Sequence, residues 1–234
     1  MKIILISGKA EAGKTTAAKF LKEELESRGE RVAITPYGRL VKDLCSMLYG
    51  WDGRKDEAGR QLLQHFGTDV IRKNNPDYWV HHITELSGLL YDEFDTFIID
   101  DCRFPNEVEA WDGVARWSAN WVKKHYDVYW LRIERPGYEN HLTPEQRQHP
   151  SETALDGYEI PIGSWIDGVY VKNNAGLMEF RDTVIKALDY LESYNKLENG
   201  LTMTPDEMDR LILAPEDFKK NNHDGKISFE EMYL

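Results

Sequence analysis

Residues 2 to 15 constrain this chain more than any other segment: Lys2-Ile3-Ile4-Leu5-Ile6-Ser7 is an apolar run, and it breaks into Gly8-Lys9-Ala10-Glu11-Ala12-Gly13-Lys14-Thr15. A buried strand over Lys2–Ser7, a glycine loop ending in Lys-Thr, and a helical stretch over Thr16–Ser27 form the strand-loop-helix context of a phosphate-binding P-loop. A chain with this opening folds around a parallel sheet and handles a nucleoside triphosphate.

The chemistry of the loop follows from its residue types. Gly8 and Gly13 permit backbone angles that a Cβ resists, so successive N–H groups can curl around a phosphate at the positive end of the next helix. The expected cradle is Gly8, Ala10, Ala12, Gly13, Lys14, Thr15 and Thr16. Lys14 would reach the β and γ phosphates of ATP as a point charge, and the Thr15 hydroxyl would ligate Mg²⁺.

Composition narrows the remaining classes. The chain has 234 residues, 41% of them hydrophobic, enough for one full core and an appendage. It lacks any run of ~18 apolar residues, and Met1-Lys2 leads straight into the strand, so neither a membrane span nor a cleavable leader is expected. Two cysteines, Cys45 and Cys102, are too few for a disulfide framework or a zinc cluster and fit a reducing cytoplasm, each as a small core residue. A net charge of −12 argues against broad attraction to nucleic acid or anionic membrane, so a phosphorylated substrate needs a local cluster of arginines and lysines.

Along the chain, strand and helix signals alternate as in an α/β protein. Strands are expected over Lys2–Ser7, Arg31–Thr35, Thr96–Asp100, Asp127–Ile133 and Gly168–Lys172. Apolar residues recur at helical spacing in the segments from Ala17 to Leu25, Leu40 to Leu48 and Leu177 to Leu191. The expected fold is a P-loop NTPase fold, a mostly parallel five-stranded sheet with helices on both faces, over residues 1–195. An acidic tail over 200–234 follows the Asn199-Gly200 break. Trp111, Trp117 and Trp121 recur at near-helical spacing and read as packing.

The third strand ends on Asp100-Asp101, and ligands in open α/β sheets bind at the carboxyl ends of strands. One of the two would face Thr15 across a Mg²⁺ ion; the strand end alone does not say which, and a salt bridge to Arg103 is the alternative.

Four segments carry a resemblance: Gly59-Arg60-Gln61-Leu62-Leu63-Gln64-His65-Phe66-Gly67-Thr68-Asp69-Val70-Ile71-Arg72, Pro76-Asp77-Tyr78-Trp79-Val80, Asp100-Asp101-Cys102-Arg103-Phe104-Pro105-Asn106-Glu107 and His149-Pro150-Ser151-Glu152. With the P-loop and Val171-Lys172-Asn173-Asn174, the chain resembles the deoxynucleoside monophosphate kinases of bacteriophages over residues 1–195. The resemblance implies transfer of the ATP γ-phosphoryl group to the 5′-phosphate of a deoxynucleoside monophosphate, in the host cytoplasm, by a homodimer with no direct nucleic-acid contact. Such a transfer rests on positioning and charge neutralisation, because the acceptor phosphate is already a nucleophilic anion.

On that resemblance Arg72 and Arg103 are candidates for the acceptor and transfer zone, where a guanidinium fork suits a phosphate. Lys14, Arg72, Arg103 and Asp101 form the expected catalytic group, and Thr15, Asp100 and Asp101 the expected metal group. Lys42 matches the lysine that opens the acceptor-side helix in similar kinases, although Tyr37-Gly38-Arg39 departs from the Phe-Ala pair expected before it. Arg39 and Arg60 are weaker candidates. Trp79, with Tyr78, offers a flat apolar wall for the acceptor base, or a core residue. Arg135 or Arg147 would swing onto the triphosphate from a polar lid over Asn140–Ser151, with His149 shaping a turn.

Two other readings follow from the residues. One is a different P-loop small-molecule kinase, such as one acting on dephospho-coenzyme A. The other is a nucleotide-dependent regulator with a calcium-sensing tail, since Lys220 to Glu231 follows the EF-hand frame. Lys220 stands where that frame requires a carboxylate, so the tail reads as a degenerate loop. No Asn-Lys-x-Asp segment of a guanine-reading switch is present.

Overall fold

A computed structural model of the chain describes residues 1–54, 56–117, 125–161, 163–198, 201 and 203–212. Five strands, β1 (Lys2–Ser7), β2 (Val32–Ile34), β3 (Thr96–Cys102), β4 (Asp127–Glu134) and β5 (Ile166–Lys172), form one sheet in the order β2-β3-β1-β4-β5. Every pairing is parallel. Parallel strands need crossovers, and the crossovers are the helices that cover both faces. The fold is the expected P-loop NTPase fold, with an entirely parallel sheet.

Burial on two faces explains why β1 reads as an uninterrupted apolar run. Ile3, Ile4, Leu5 and Ile6 are all fully buried, and successive side chains alternate between the two layers. Ile4 and Ile6 pack with Ala17, Leu21 and Leu25 of α1 (Lys14–Ser27) and Val184, Leu188 and Leu191 of the long C-terminal helix. Ile3 and Leu5 pack with Val41 of α2 (Gly38–Tyr49), with Trp79, Val80 and Ile83, and with Val108 and Trp111. Each such side chain contributes roughly 1.5–3 kcal/mol on burial.

The insertion between β2 and β3 comprises α2, α3 (Glu57–Gln64), a π-helical stretch over His65–Arg72, and α4 (Tyr78–Leu89). Asp56 caps α3 by accepting from the Gly59 N–H at 2.9 Å. The π-helix has no counterpart in the apolar spacing. Beyond β3 lie α5 (Pro105–Trp117), α6 (Pro144–Arg147), α7 (Pro150–Thr153), α8 (Leu177–Glu198) and α9 (Pro205–Ile212).

Several boundaries differ from the expectation. β3 runs through Asp100 and Asp101 to Cys102, because its pairing with β1 resumes at Ser7↔Cys102 after a register shift between Leu5 and Ser7. α1 begins at Lys14, β2 is only three residues long, and β5 starts at Ile166. Trp111, Cys45 and Cys102 are buried as expected. The Trp117 side chain, Trp121 and the EF-hand frame at 220–231 lie outside the described residues. The start of the acidic tail is described: α9 packs on α8, with an ion pair between Lys196 and Glu207.

Candidate phosphate-transfer site

The carboxyl ends of β1, β3 and β4 open onto one crevice, and the loop after β1 forms its floor. Gly8 has φ 143° and Gly13 φ 110°, both in the range that disfavours a side chain. Space forbids one as well: a Cβ on Gly8 would lie 2.3 Å from the Ile133 carbonyl oxygen, and one on Gly13 2.7 Å from Asn173 Nδ2. Asn173, just past β5, donates to the Ala12 carbonyl at 2.9 Å and pins the loop from the opposite side.

Lys14 lies across this loop, its ammonium donating to the Gly8 and Lys9 carbonyls at 2.7 Å each. Burial, with the Arg103 guanidinium next in effect, pulls its pKa down to about 8. A poorly solvated ammonium over the positive end of α1 is suited to a polyanion, which would supply the missing counter-charge.

The two aspartates of β3 face opposite ways at the strand end, where the register against β1 shifts between Leu5 and Ser7. Asp100, in step with Ile98, faces α1, and its Oδ2 accepts from the Thr15 hydroxyl at 2.7 Å. Asp101, in step with Ile99, faces the other layer and accepts from the Tyr37 and Gly38 amides at 2.7 and 2.8 Å, closing the start of α2. Burial raises the Asp101 pKa, opposed by the Gly38 amide. The structure thus brings Thr15 together with Asp100 and turns Asp101, expected in both the catalytic and metal groups, onto backbone amides. The Thr15–Asp100 oxygen pair fits Mg²⁺, which typically takes one or two protein oxygens and completes its shell with water and phosphate. Among the described residues no cluster of three or more His, Cys, Asp or Glu could hold a metal by itself.

Above the loop lies a cavity of about 430 Å³ whose lining includes Gly8, Ala10, Arg103, Arg135 and Glu152. Arg103 donates to the Ser151 carbonyl at 3.0 Å and pairs with Glu152. The other Glu152 oxygen accepts from the Ala10 N–H at 2.8 Å, so a carboxylate from α7 already sits on a P-loop amide. His149 caps α7, its ring accepting from the Ser151 amide at 3.2 Å, and burial lowers its pKa. This matches the expected structural turn. Arg135 stacks 3.8 Å over Tyr138 and donates to the Glu11 carbonyl at 3.2 Å, at the loop rim. Arg147 is turned away, onto the Asn140 carbonyl at 2.7 Å.

A second cavity, of about 330 Å³, is lined by Thr68, Asp69, Arg72, Lys73, Pro76, Phe104 and Asn106. Arg72, at the end of the π-helix, lies 4.1 Å over the Phe104 ring and pairs with buried Glu107. Lys42 is half-buried and near enough to Asp101 to lower its pKa. Trp79 does not reach this cavity: it is 2% exposed, and its indole N–H donates to the Gly67 carbonyl at 3.0 Å, bracing the π-helix from within the core. A base-stacking role for Trp79 is thereby replaced by a packing one. Tyr78 is 41% exposed and meets the Trp79 ring edge-on. Thr16 lies in the first turn of α1, behind Thr15.

Sequence reasoning passed over the contacts of Glu107 and Glu152, though both residues stand in the segments that carry the resemblance. Glu107 had a readable signal: an acid two residues after a Pro that opens a helix is a cap that reaches back to the preceding amides. Glu152 had none, since its partners lie 142 and 49 positions away.

A family model described as an AAA domain matches residues 4–151, more than half of the chain. No curated protein matches the chain. Two solved structures are similar to it: the APS kinase CysC Cys556Ala mutant of Mycobacterium tuberculosis, at 13% identity and a TM-score of 0.40, covering 80% of this chain and 96% of that one; and the same kinase in complex with AMPPNP and APS, at 13% identity and a TM-score of 0.39, covering 80% and 97%.

Proposed function

The chain belongs to the AAA domain family, and from that premise and the geometry of the P-loop crevice we propose that it is a deoxynucleoside monophosphate kinase, transferring the γ-phosphoryl group of ATP to a 5′-monophosphate. The observation that supports this most is the pairing of two cavities. One stands over the P-loop, the other is walled by Arg72 and Lys73, and the turn after β3 lines both through Arg103 and Phe104.

In this reading the loop amides and Lys14 hold the β and γ phosphates. Thr15 and Asp100 would hold Mg²⁺, which would neutralise charge on those phosphates. Arg72 orients the acceptor phosphate, and Arg103 lies between the two phosphate groups. An acceptor oxygen forms a bond to γ-phosphorus as the bond to the bridging oxygen breaks, and ADP leaves. No protein base is needed, because the acceptor is an anion.

A second reading draws support from Glu152. A kinase acting on an alcohol does need a proton acceptor near the γ-phosphate, and this carboxylate on the Ala10 amide stands at the mouth of the loop. One assay separates the two: ADP release from ATP·Mg²⁺ against deoxynucleoside and nucleoside monophosphates, with dephospho-coenzyme A as the alcohol. Turnover with the monophosphates, abolished by Lys14→Ala with the fold intact, is expected. Turnover with the alcohol alone would overturn the proposal.

A further inference from the structure

One buried group touches residues of both cavities, Arg72 and Phe104 of one and Arg103 of the other. Glu107, in the first turn of α5, is 1% exposed, and its carboxylate is fully used. One oxygen pairs with Arg72; the other accepts from the Arg103 amide at 2.6 Å and the Phe104 amide at 3.0 Å. Arg72 in turn lies over the Phe104 ring and points Nη1 toward the Pro76 carbonyl at 3.4 Å. Its guanidinium is therefore held on one edge by Glu107 and on one face by Phe104. A guanidinium has five donors, so this grip leaves several for the cavity it lines.

Closing a helix start requires only an acceptor oxygen, which glutamine provides as well as glutamate. It requires neither a negative charge nor a reach to a side chain 35 positions earlier. Both are present here, at high desolvation cost to the carboxylate. We infer that Glu107 is the positioning residue of the acceptor side: it sets the Arg72 guanidinium in the cavity wall and, through the Arg103 and Phe104 amides, holds that wall in register with the P-loop mouth. This rests on the kinase reading above.

The test is a double-mutant cycle of Glu107→Gln, Arg72→Gln and both together. It measures KM for the monophosphate, KM for ATP, and kcat, alongside side-chain NMR of the Arg72 guanidinium. Glutamine keeps the cap and removes the charge. Glu107→Gln is expected to raise the monophosphate KM roughly tenfold or more, the scale of one charge-assisted contact, to leave the ATP KM within about twofold, and to have no further effect once Arg72 is Gln. Melting curves accompany each variant: Arg72→Gln leaves the buried Glu107 carboxylate unpaired, whereas the double variant leaves no uncompensated buried charge and should melt above Arg72→Gln, and the reverse order overturns the inference even if Glu107→Gln alone fails to fold. In wild type the Arg72 Nη groups should show slowed rotation about Cζ, lost in Glu107→Gln. An unchanged monophosphate KM, or the same loss with and without Arg72, overturns the inference. Failure of the kinase reading would look different: wild type would turn over no monophosphate, and slowed Arg72 rotation together with binding of inorganic phosphate, both weakened by Glu107→Gln, would still decide the role of Glu107, with unchanged rotation refuting it.

Discussion

Gly8→Ala isolates how the P-loop is built. Two costs add at this position. The backbone stands at φ 143°, which carries about 1–3 kcal/mol of strain for a residue with a side chain. The new methyl would also lie 2.3 Å from the Ile133 carbonyl oxygen, a backbone atom of β4 that cannot rotate aside, and overpacking of this kind costs about 1–3 kcal/mol. Together they amount to about 2–6 kcal/mol, which in a chain of this size lowers Tm by roughly 4–24 °C. Gly29→Ala is the internal control: its φ is +91°, and nothing lies within 4 Å of the added Cβ, so only the strain applies. Thermal melts of both variants, with ATP titrations, make the comparison. Gly8→Ala should melt well below Gly29→Ala and lose ATP binding; Gly29→Ala should bind ATP as wild type does. Equal melting temperatures would refute the claim that contact with β4, and not backbone angle alone, demands glycine at position 8.

Lys14 titrates near pH 8 in the fold against 10.5 for a free lysine, so the unfolded chain binds more protons between those values and the Lys14 contribution to stability rises with pH across that window. Phosphates restore the charged form: at pH 9, ATP binding should take up a proton that Lys14→Ala does not, and identical calorimetric enthalpies in two buffers of different ionisation enthalpy would exclude this. Asp100→Asn should raise the Mg²⁺ concentration needed for turnover with little change in melting. Asp101→Asn should lower Tm through loss of an amide contact at the start of α2, leaving the Mg²⁺ requirement intact; the reverse pattern would overturn the division of roles between Thr15-bound Asp100 and amide-bound Asp101. Glu152→Gln removes a carboxylate that competes with phosphate for Arg103 and the Ala10 amide, so ATP should bind several-fold more tightly, and weaker binding would show instead that Glu152 supports the loop.

Much of this architecture is legible in the residue order because it depends on local signals. The Ile3–Ile6 run, the glycines at 8 and 13 and the amphipathic helices each encode their own geometry. The orientation of Asp100 and Asp101 is less legible: the register against β1 shifts between Leu5 and Ser7, and Cys102 packs in the layer of Phe97 and Ile99, so the alternation of Thr96 to Ile99 does not carry through the strand end. What could not be read was long-range: the Asn173 hold on Ala12, the Glu152 contact with Ala10, and Trp79 turning inward to Gly67. The last depends on the π-helix, which leaves no periodic mark in eight residues.

That π-helix has a consequence for how such a site can change over generations. A π-turn is an α-helix with an inserted residue, since its hydrogen bonds span five positions instead of four. Loss of one codon between His65 and Arg72 would therefore be absorbed: the widened turns would tighten to an ordinary helix and the residues on either side would largely keep their faces, whereas one deletion in a plain helix rotates all that follows by about 100°. Chain length on this side of the crevice is open to change by single codons, while Gly8, whose Cβ would meet β4, holds the P-loop side fixed.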